Sequence, residues 1–195
     1  MESVVARVCR EAGGRVTTNV MLRDLDMALP DVADGRGLEV VADGLPLFGG
    51  AQLAIDTTLV CALRRDGNPT SHAAEEDGAA LRRARQRKER TYPELVGRRA
   101  RARLVVLAVE VGGRWSEEAR NFLSQLAKAR ARGENPLLRK RAEQAWRLRW
   151  GSMLSCTAAR AVAASLLELP GARGADGATP PPHEVERDFR FAGLA

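Results

Sequence analysis

Residues 53–60 read LAIDTTLV and lie inside a longer apolar stretch, AQLAIDTTLVCAL, at 51–63. Aliphatic and β-branched residues fill both sets of alternating positions, a pattern typical of a strand buried on both faces of a sheet. Such a strand needs neighbouring strands at its sides and helices above and below it. The stretch therefore predicts an α/β domain, and its single charged residue, Asp56, is the first candidate for a functional role.

The segments on either side alternate between helical and extended patterns. We predict helices at 2–12, 79–90, 116–131 and 136–169, and strands at 15–26, 38–42, 51–63 and 104–111. The predicted order is helix, three strands, helix, strand, helix, helix. This order indicates an α/β (α+β) fold with a mixed central sheet flanked by helices and with further helices at the C-terminal end.

Composition sets the outer limits of the domain. Residues 1–170 have the apolar content of one folded domain, whereas 171–195 are rich in glycine, alanine and proline and are predicted to be a disordered tail.

No signal peptide is evident, and no apolar run reaches the ~20 residues that span a bilayer, so we expect no membrane association. The three cysteines form no C-x-x-C pair, which argues against a zinc site.

Two carboxylates fall inside apolar strands, Glu39 in LEVVA and Asp56 in LAIDTTL. A buried carboxylate needs a metal ion, an arginine or a proton to compensate it, unless the residue lies at an exposed strand end. If antiparallel strands bring the two acids together, they form a hard oxygen site that suits Mg²⁺ or Mn²⁺. Lys88, on the helix after the Asp56 strand, is the candidate for stabilising charge on a phosphodiester, although it could be one more solvated base.

The charge is unevenly distributed. Residues 1–60 carry a net charge of −4, whereas residues 82–103 hold ten bases and two acids, a net charge of +8. A basic helix beside an acidic pocket favours a nucleic-acid partner, DNA or RNA, and the alternative is a merely solvated basic face. The predicted nucleic-acid-binding residues are Arg82, Arg83, Arg85, Arg87, Arg90 and Tyr92.

Five segments carry a resemblance to a known family: AGGRV (12–16), RGLEVVADG (36–44), LAIDTTLV (53–60), KERTYPEL (88–95) and LVVLAVEVGGRWSEEARNFL (104–123). In this order they resemble the PD-(D/E)XK, or restriction-endonuclease-like, superfamily. They resemble more closely the nuclease region that follows reverse transcriptase in certain non-LTR retrotransposon proteins. The resemblance implies a core of helix, three strands, helix and strand.

The resemblance also implies roles for individual residues. Glu39 takes the position of the first family acid, although Leu38-Glu39 replaces the usual proline-aspartate pair, and Asp56 takes that of the second acid. Thr58 stands where the family commonly has lysine. In the retrotransposon branch the lysine lies on the next helix before a tyrosine, which Lys88 and Tyr92 match. Glu11 could correspond to an acid sometimes present on the first helix.

Three functional hypotheses follow. The first is a Mg²⁺- or Mn²⁺-dependent endonuclease that nicks target DNA, in which Glu39 and Asp56 bind the metal and Lys88 assists; the resemblance implies a nuclear or intracellular location. The second is a non-catalytic, inactive DNA- or RNA-binding remnant that uses only the basic 82–103 segment. The third is an interaction domain whose long C-terminal helix pairs with a partner.

Overall fold

The computed structural model describes residues 1–25, 35–64, 66–97 and 102–167 of the 195-residue chain. Within these ranges the chain forms four α-helices and four β-strands, and the predicted order of elements is confirmed. The elements are α1 Glu2–Glu11, β1 Arg15–Met21, β2 Gly37–Asp43, β3 Gln52–Val60, α2 Ala79–Thr91, β4 Ala102–Glu110, α3 Glu117–Ala131 and α4 Arg139–Leu166.

The four strands form one mixed sheet in the order β1-β2-β3-β4. β2 is antiparallel to both of its neighbours, β1 and β3. β4 is parallel to β3 and pairs with it along its whole length, from Gln52↔Ala102 to Val60↔Glu110. Because parallel neighbours require a crossover connection, the chain passes through α2 between β3 and β4.

Helices cover both faces of the sheet, as the continuous apolar character of β3 requires. On one face, Val40 and Ile55 pack with α1, α3 and α4, including the fully buried indole of Trp150. On the other face, Ala54 and its neighbours pack with Leu81 and other residues of α2. Successive residues of β3 thus enter different cores, so that the side chain of Asp56, two residues after Ala54, lies on the α2 side.

The first strand is shorter than predicted. It ends at Met21 instead of reaching Asp26, and Leu22 begins a short 3₁₀ helix that ends at Asp24. The side chain of Leu22 is fully buried in the α2-side core. Its backbone N–H donates to the Arg36 carbonyl oxygen at 2.8 Å, so the apolar residues that suggested a longer strand instead anchor a turn.

The last helix begins later than predicted. Pro136 was expected to open it, but α4 begins at Arg139. The side chain of Asn135 accepts a hydrogen bond from the Leu137 N–H at 3.0 Å, which holds the intervening residues in a turn. α3 begins with a side-chain cap, because the Ser116 hydroxyl accepts a hydrogen bond from the Ala119 N–H at 3.2 Å.

The C-terminal part of the prediction lies beyond the described ranges. α4 ends at Leu166, and both the expected helix end near Leu169 and the proposed tail at 171–195 fall outside the described residues. Of the helices that are described, none combines the length and apolar character needed to cross a membrane.

Candidate functional site

Glu39 and Asp56 lie level with each other on neighbouring strands. The β2–β3 ladder includes the pair Val40↔Ile55, and one further step of the antiparallel register brings Glu39 opposite Asp56. Residues directly opposite each other point to the same face of a sheet and have Cβ atoms about 5 Å apart. The register therefore puts both acids on the face that α2 covers.

Lys88 approaches Asp56 from α2. Its Nζ lies 2.9 Å from Asp56 Oδ2, and the two side chains are 15% and 3% exposed. The inner face of α2 follows the spacing Leu81, Ala84, Lys88, so Lys88 occupies a position where the core would otherwise receive an apolar side chain. The ammonium group supplies the charge compensation that a buried aspartate requires.

Glu39 is held by Thr57 on the adjacent strand. Its Oε2 accepts a hydrogen bond from the Thr57 backbone N–H at 3.0 Å and a second one from the Thr57 hydroxyl. Burial, together with the negative charge of Asp56, raises the pKa of the Glu39 carboxyl to about 7, against the lowering effect of Thr57 and Lys88. The electrostatic influence of both Asp56 and Lys88 on Glu39 joins the three residues into one cluster.

The donor set of this cluster fits a hard divalent cation. Carboxylate oxygens are the ligands that Mg²⁺ prefers, and Mg²⁺ commonly uses one or two carboxylates with water completing its shell. Across the described residues no group of three or more histidine, cysteine or acidic side chains could hold a metal ion. Among the described side chains of these types, Glu39 and Asp56 are the ones that an ion at this site would use.

The C-terminal end of α2 is fastened to the start of β2. Arg36 Nη2 lies 2.6 Å from Glu94 Oε1, and Arg36 Nη1 also donates to the Thr91 carbonyl oxygen. The Tyr92 hydroxyl donates to the Gly37 carbonyl oxygen at 2.7 Å. These contacts begin three residues after Lys88. They therefore hold the end of α2 in place and, with it, the position of Lys88 relative to Glu39 and Asp56.

Tyr92 is a core residue in this arrangement. Only 6% of it is exposed, and it packs in the α2-side core. An aromatic ring that stacks on a nucleic-acid base must be accessible, so the predicted nucleic-acid contact of Tyr92 is incompatible with its position. Tyr92 is instead the residue at which α2 ends, and Pro93 after it begins a short 3₁₀ turn.

The predicted arginines separate into two groups. Arg82 forms an ion pair with Glu76, and Arg85 Nε lies 2.7 Å from Glu118 Oε2 on α3. Burial raises the pKa of Glu118, and the nearby guanidinium of Arg85 opposes this effect. These two arginines hold α2 to neighbouring parts of the chain, which leaves less of their charge for an external phosphate.

Arg83, Arg87 and Arg90 form the second group, which lies on the exposed surface of α2. Their spacing of four and three residues aligns them on one face of the helix, away from Lys88. Of the other bases in the 82–103 segment, Arg98, Arg99 and Arg101 lie outside the described residues.

Glu11 lies in a different part of the molecule. Its carboxylate accepts hydrogen bonds from Arg149 and from the Trp150 indole N–H, at 3.0 and 2.8 Å. The hydrogen bond from Arg149 is the main cause that lowers the pKa of Glu11 to about 2. Glu11 therefore joins α1 to α4 on the sheet face opposite the Glu39–Asp56–Lys88 cluster, and its possible correspondence to a family acid stays a prediction.

Sequence reasoning missed three residues that shape the cluster: Thr57, Arg36 and Glu94. A threonine in an apolar strand gives no sign that it will bind a carboxylate on the next strand. Arg36 and Glu94 are separated by 58 positions, so only the three-dimensional fold reveals their pairing.

No protein-family model matches the chain, and no curated protein is significantly similar to it.

Proposed function

We propose that the chain is a metal-dependent DNA endonuclease domain of the PD-(D/E)XK type, related to the nuclease regions of non-LTR retrotransposon proteins. One observation carries the proposal: Lys88 Nζ lies 2.9 Å from Asp56 Oδ2, and Glu39 is level with Asp56 on the same face of the sheet. Two acids and a lysine at one point of a mixed sheet are the groups that hydrolysis of a phosphodiester requires. The order of helices and strands also agrees with the core that the resemblance to restriction-endonuclease-like proteins implies.

Each residue has a distinct task in this proposal. Glu39 and Asp56 hold the divalent cation, and Mg²⁺ or Mn²⁺, when bound, would lower the pKa of a water molecule and neutralise phosphate charge. Lys88 stabilises the negative charge that develops on the phosphorus oxygens. Thr57 orients the Glu39 carboxylate, and the Arg36–Glu94 ion pair keeps α2 in register.

In this proposal, exposed arginines of α2 hold DNA near the site by phosphate contacts. Arg83, Arg87 and Arg90 give α2 a basic outer face. Contacts of this kind position a duplex without reading its sequence. The proposal therefore includes duplex DNA as substrate and leaves base specificity to other contacts.

The test is nicking of supercoiled plasmid in the presence of Mg²⁺ or Mn²⁺. We expect the wild type to convert plasmid to the open-circular form and EDTA to stop the reaction. Asp56→Asn and Glu39→Gln keep the shape of the side chains and remove their charge, and each should reduce nicking at least about 100-fold, the order of loss when one charged transition-state contact is removed. Glu75→Gln is the matched control, because Glu75 is 74% exposed and lies in a surface turn.

DNA binding, measured in parallel by fluorescence anisotropy, should be unchanged in Asp56→Asn and Glu39→Gln. Equal nicking by the wild type and Asp56→Asn would assign the activity to a contaminant and contradict the proposal.

A second candidate function is supported by the same contact. Lys88 compensates the charge of Asp56 directly, so this buried carboxylate has an opposite charge beside it without a metal ion. The chain would then be a non-catalytic DNA- or RNA-binding protein that uses the outer face of α2. Binding of DNA or RNA by the wild type, with no nicking under either metal, would favour this candidate.

A further inference from the structure

A second group of basic residues lies where α3 and α4 meet, far along the chain from the 82–103 segment. We call this surface, residues 128–141, the basic elbow. It contains six basic residues and one acid, Glu134, which leaves a net charge of +5. Its basic residues are Lys128, Arg130, Arg132, Arg139, Lys140 and Arg141.

The positive charge of the basic elbow is directed to solvent. All of its basic residues are exposed except Arg130, which is partly buried, with its guanidinium 5.2 Å from the Trp146 ring. In the described part of the chain, none of the six forms an ion pair with a carboxylate. The basic elbow thus differs from the start of α2, where Arg82 and Arg85 are each paired with an acid.

Like charges at this density, with no carboxylate partner among the described residues, repel one another, and an external polyanion relieves that repulsion. The exposed neighbours of Lys128 on α3 are Asn121 and Gln125, seven and three residues before it on the same helical face. Their amide groups can donate hydrogen bonds to phosphate oxygens. The exposed apolar residues of the basic elbow, Leu137 and Leu138, lie beyond the end of α3, so the α3 face around Lys128 is polar and suits a phosphate backbone better than a lipid surface.

We propose that the basic elbow is a second DNA-binding surface, which grips the phosphate backbone of a duplex independently of the Glu39–Asp56–Lys88 cluster. The inference rests on the proposed function in one respect, namely that DNA is the polyanion this protein handles. The basic elbow would extend the contact to DNA beyond the phosphates at the cluster, so its removal should weaken binding without altering the cluster itself.

The experiment compares two triple variants of the full chain that have the same net charge. The first carries Lys128→Gln, Arg132→Gln and Lys140→Gln in the basic elbow. The control carries Arg10→Gln, Arg64→Gln and Arg160→Gln, which are exposed residues on α1, on the loop after β3 and on the second half of α4. Circular dichroism and thermal melting establish that both variants are folded.

The measurement is the affinity for a fluorescein-labelled duplex as a function of salt concentration. We expect the basic-elbow variant to bind at least about tenfold more weakly than the control. The slope of log affinity against log salt should fall by roughly 2 to 3, because each lost phosphate contact removes about 0.9 from it. Binding by the basic-elbow variant with the affinity and slope of the control overturns the inference, as does a wild type that binds no duplex.

Further outcomes separate this inference from the proposed nuclease function and from binding to a lipid surface. If the wild type binds the duplex through the basic elbow but never nicks plasmid, the proposed nuclease fails and the inference stands. If the wild type nicks and the basic-elbow variant binds normally, the inference fails and the nuclease stands.

Vesicles of phosphatidylserine and phosphatidylcholine test a lipid surface, because Leu137, in the basic elbow, is 90% exposed. Vesicle binding that depends on the basic elbow, with DNA affinity unaffected, also overturns the inference.

Discussion

Replacing Lys88 by methionine would leave the Asp56 carboxylate buried beside an apolar side chain. Methionine has nearly the length and shape of lysine, so the packing of the inner face of α2 would change little. The consequence for stability would come almost entirely from the lost ammonium group. This substitution therefore tests whether the ion pair between α2 and β3 is as buried as the structure indicates.

The expected loss of stability follows from the geometry. The Nζ and Oδ2 atoms are 2.9 Å apart, and the Asp56 and Lys88 side chains are 3% and 15% exposed. Removal of one partner of a buried ion pair costs about 3–5 kcal/mol, because the remaining charge is left without compensation. A domain of this size has a free energy of unfolding of about 5–15 kcal/mol, so Lys88→Met should lose a large part of it.

The assay is urea denaturation followed by tryptophan fluorescence at pH 8. Lys128→Met is the matched control, since Lys128 is exposed and a surface substitution of this kind should stay within about 0.5 kcal/mol. The double variant Asp56→Asn/Lys88→Met should recover part of the loss, because no uncompensated charge then remains. A loss below about 1 kcal/mol for Lys88→Met would refute the burial of this pair and, with it, the role given to the cluster.

Three other predictions concern stability. Because the pKa of Glu39 is raised to about 7, the folded protein binds a proton between about pH 4.5 and 7 that the unfolded chain has released. The stability that comes from this proton is fully present below about pH 4.5 and is lost as the pH rises to 7. Glu39→Gln should flatten that part of the pH–stability curve, by about 3 kcal/mol in EDTA-containing buffer, and an unchanged curve would contradict the assignment. The pKa of Glu11 is lowered to about 2, so its ionised carboxylate should contribute about 1 kcal/mol to the free energy of unfolding, after allowance for solvent screening. This contribution is present above about pH 4.5 and is lost as the pH falls towards 2. Glu11→Gln should abolish this loss of stability at acid pH in urea titrations. Tyr92→Phe removes the hydrogen bond to the Gly37 carbonyl oxygen and should cost about 1–2 kcal/mol in the same urea assay, whereas no change would show that this bond does not hold α2 in place.

The elements of the fold were predictable because each has a local signal. β3 and β4 are long apolar runs, and Ser116 followed by two glutamates marks the start of α3 in the sequence as it does in the structure. Where local signals failed, a tertiary contact decided the outcome. Leu22 extends the apolar pattern of β1, but the α2-side core takes its side chain and the chain turns there.

The site was predictable only in part. Asp56 stood out because charge is rare in a buried strand, whereas Lys88 lies among arginines on a helix that is basic on several faces. Its distinguishing feature is its position four residues after Ala84 and seven after Leu81, which puts it on the inner face. Tyr92 is predicted to bind nucleic acid with the arginines of α2, yet its burial depends on how α2 meets β2, and this no local pattern reveals. The bases of the basic elbow are contiguous in the sequence, but their exposure depends on how α3 and α4 pack, and this no local pattern reveals.

In the proposed function, the arrangement of α2 separates DNA binding from cleavage. On its inner face Lys88 forms an ion pair with Asp56, and its outer face carries Arg83, Arg87 and Arg90. Because the two faces share no side chain, substitutions that abolish cleavage need not affect binding, and the reverse also holds. An active nuclease and a binding protein descended from one would therefore have the same fold, the same basic surfaces and nearly the same affinity for DNA. They would differ in whether the two carboxylates can hold a cation beside Lys88, which only cation binding and strand cleavage can reveal.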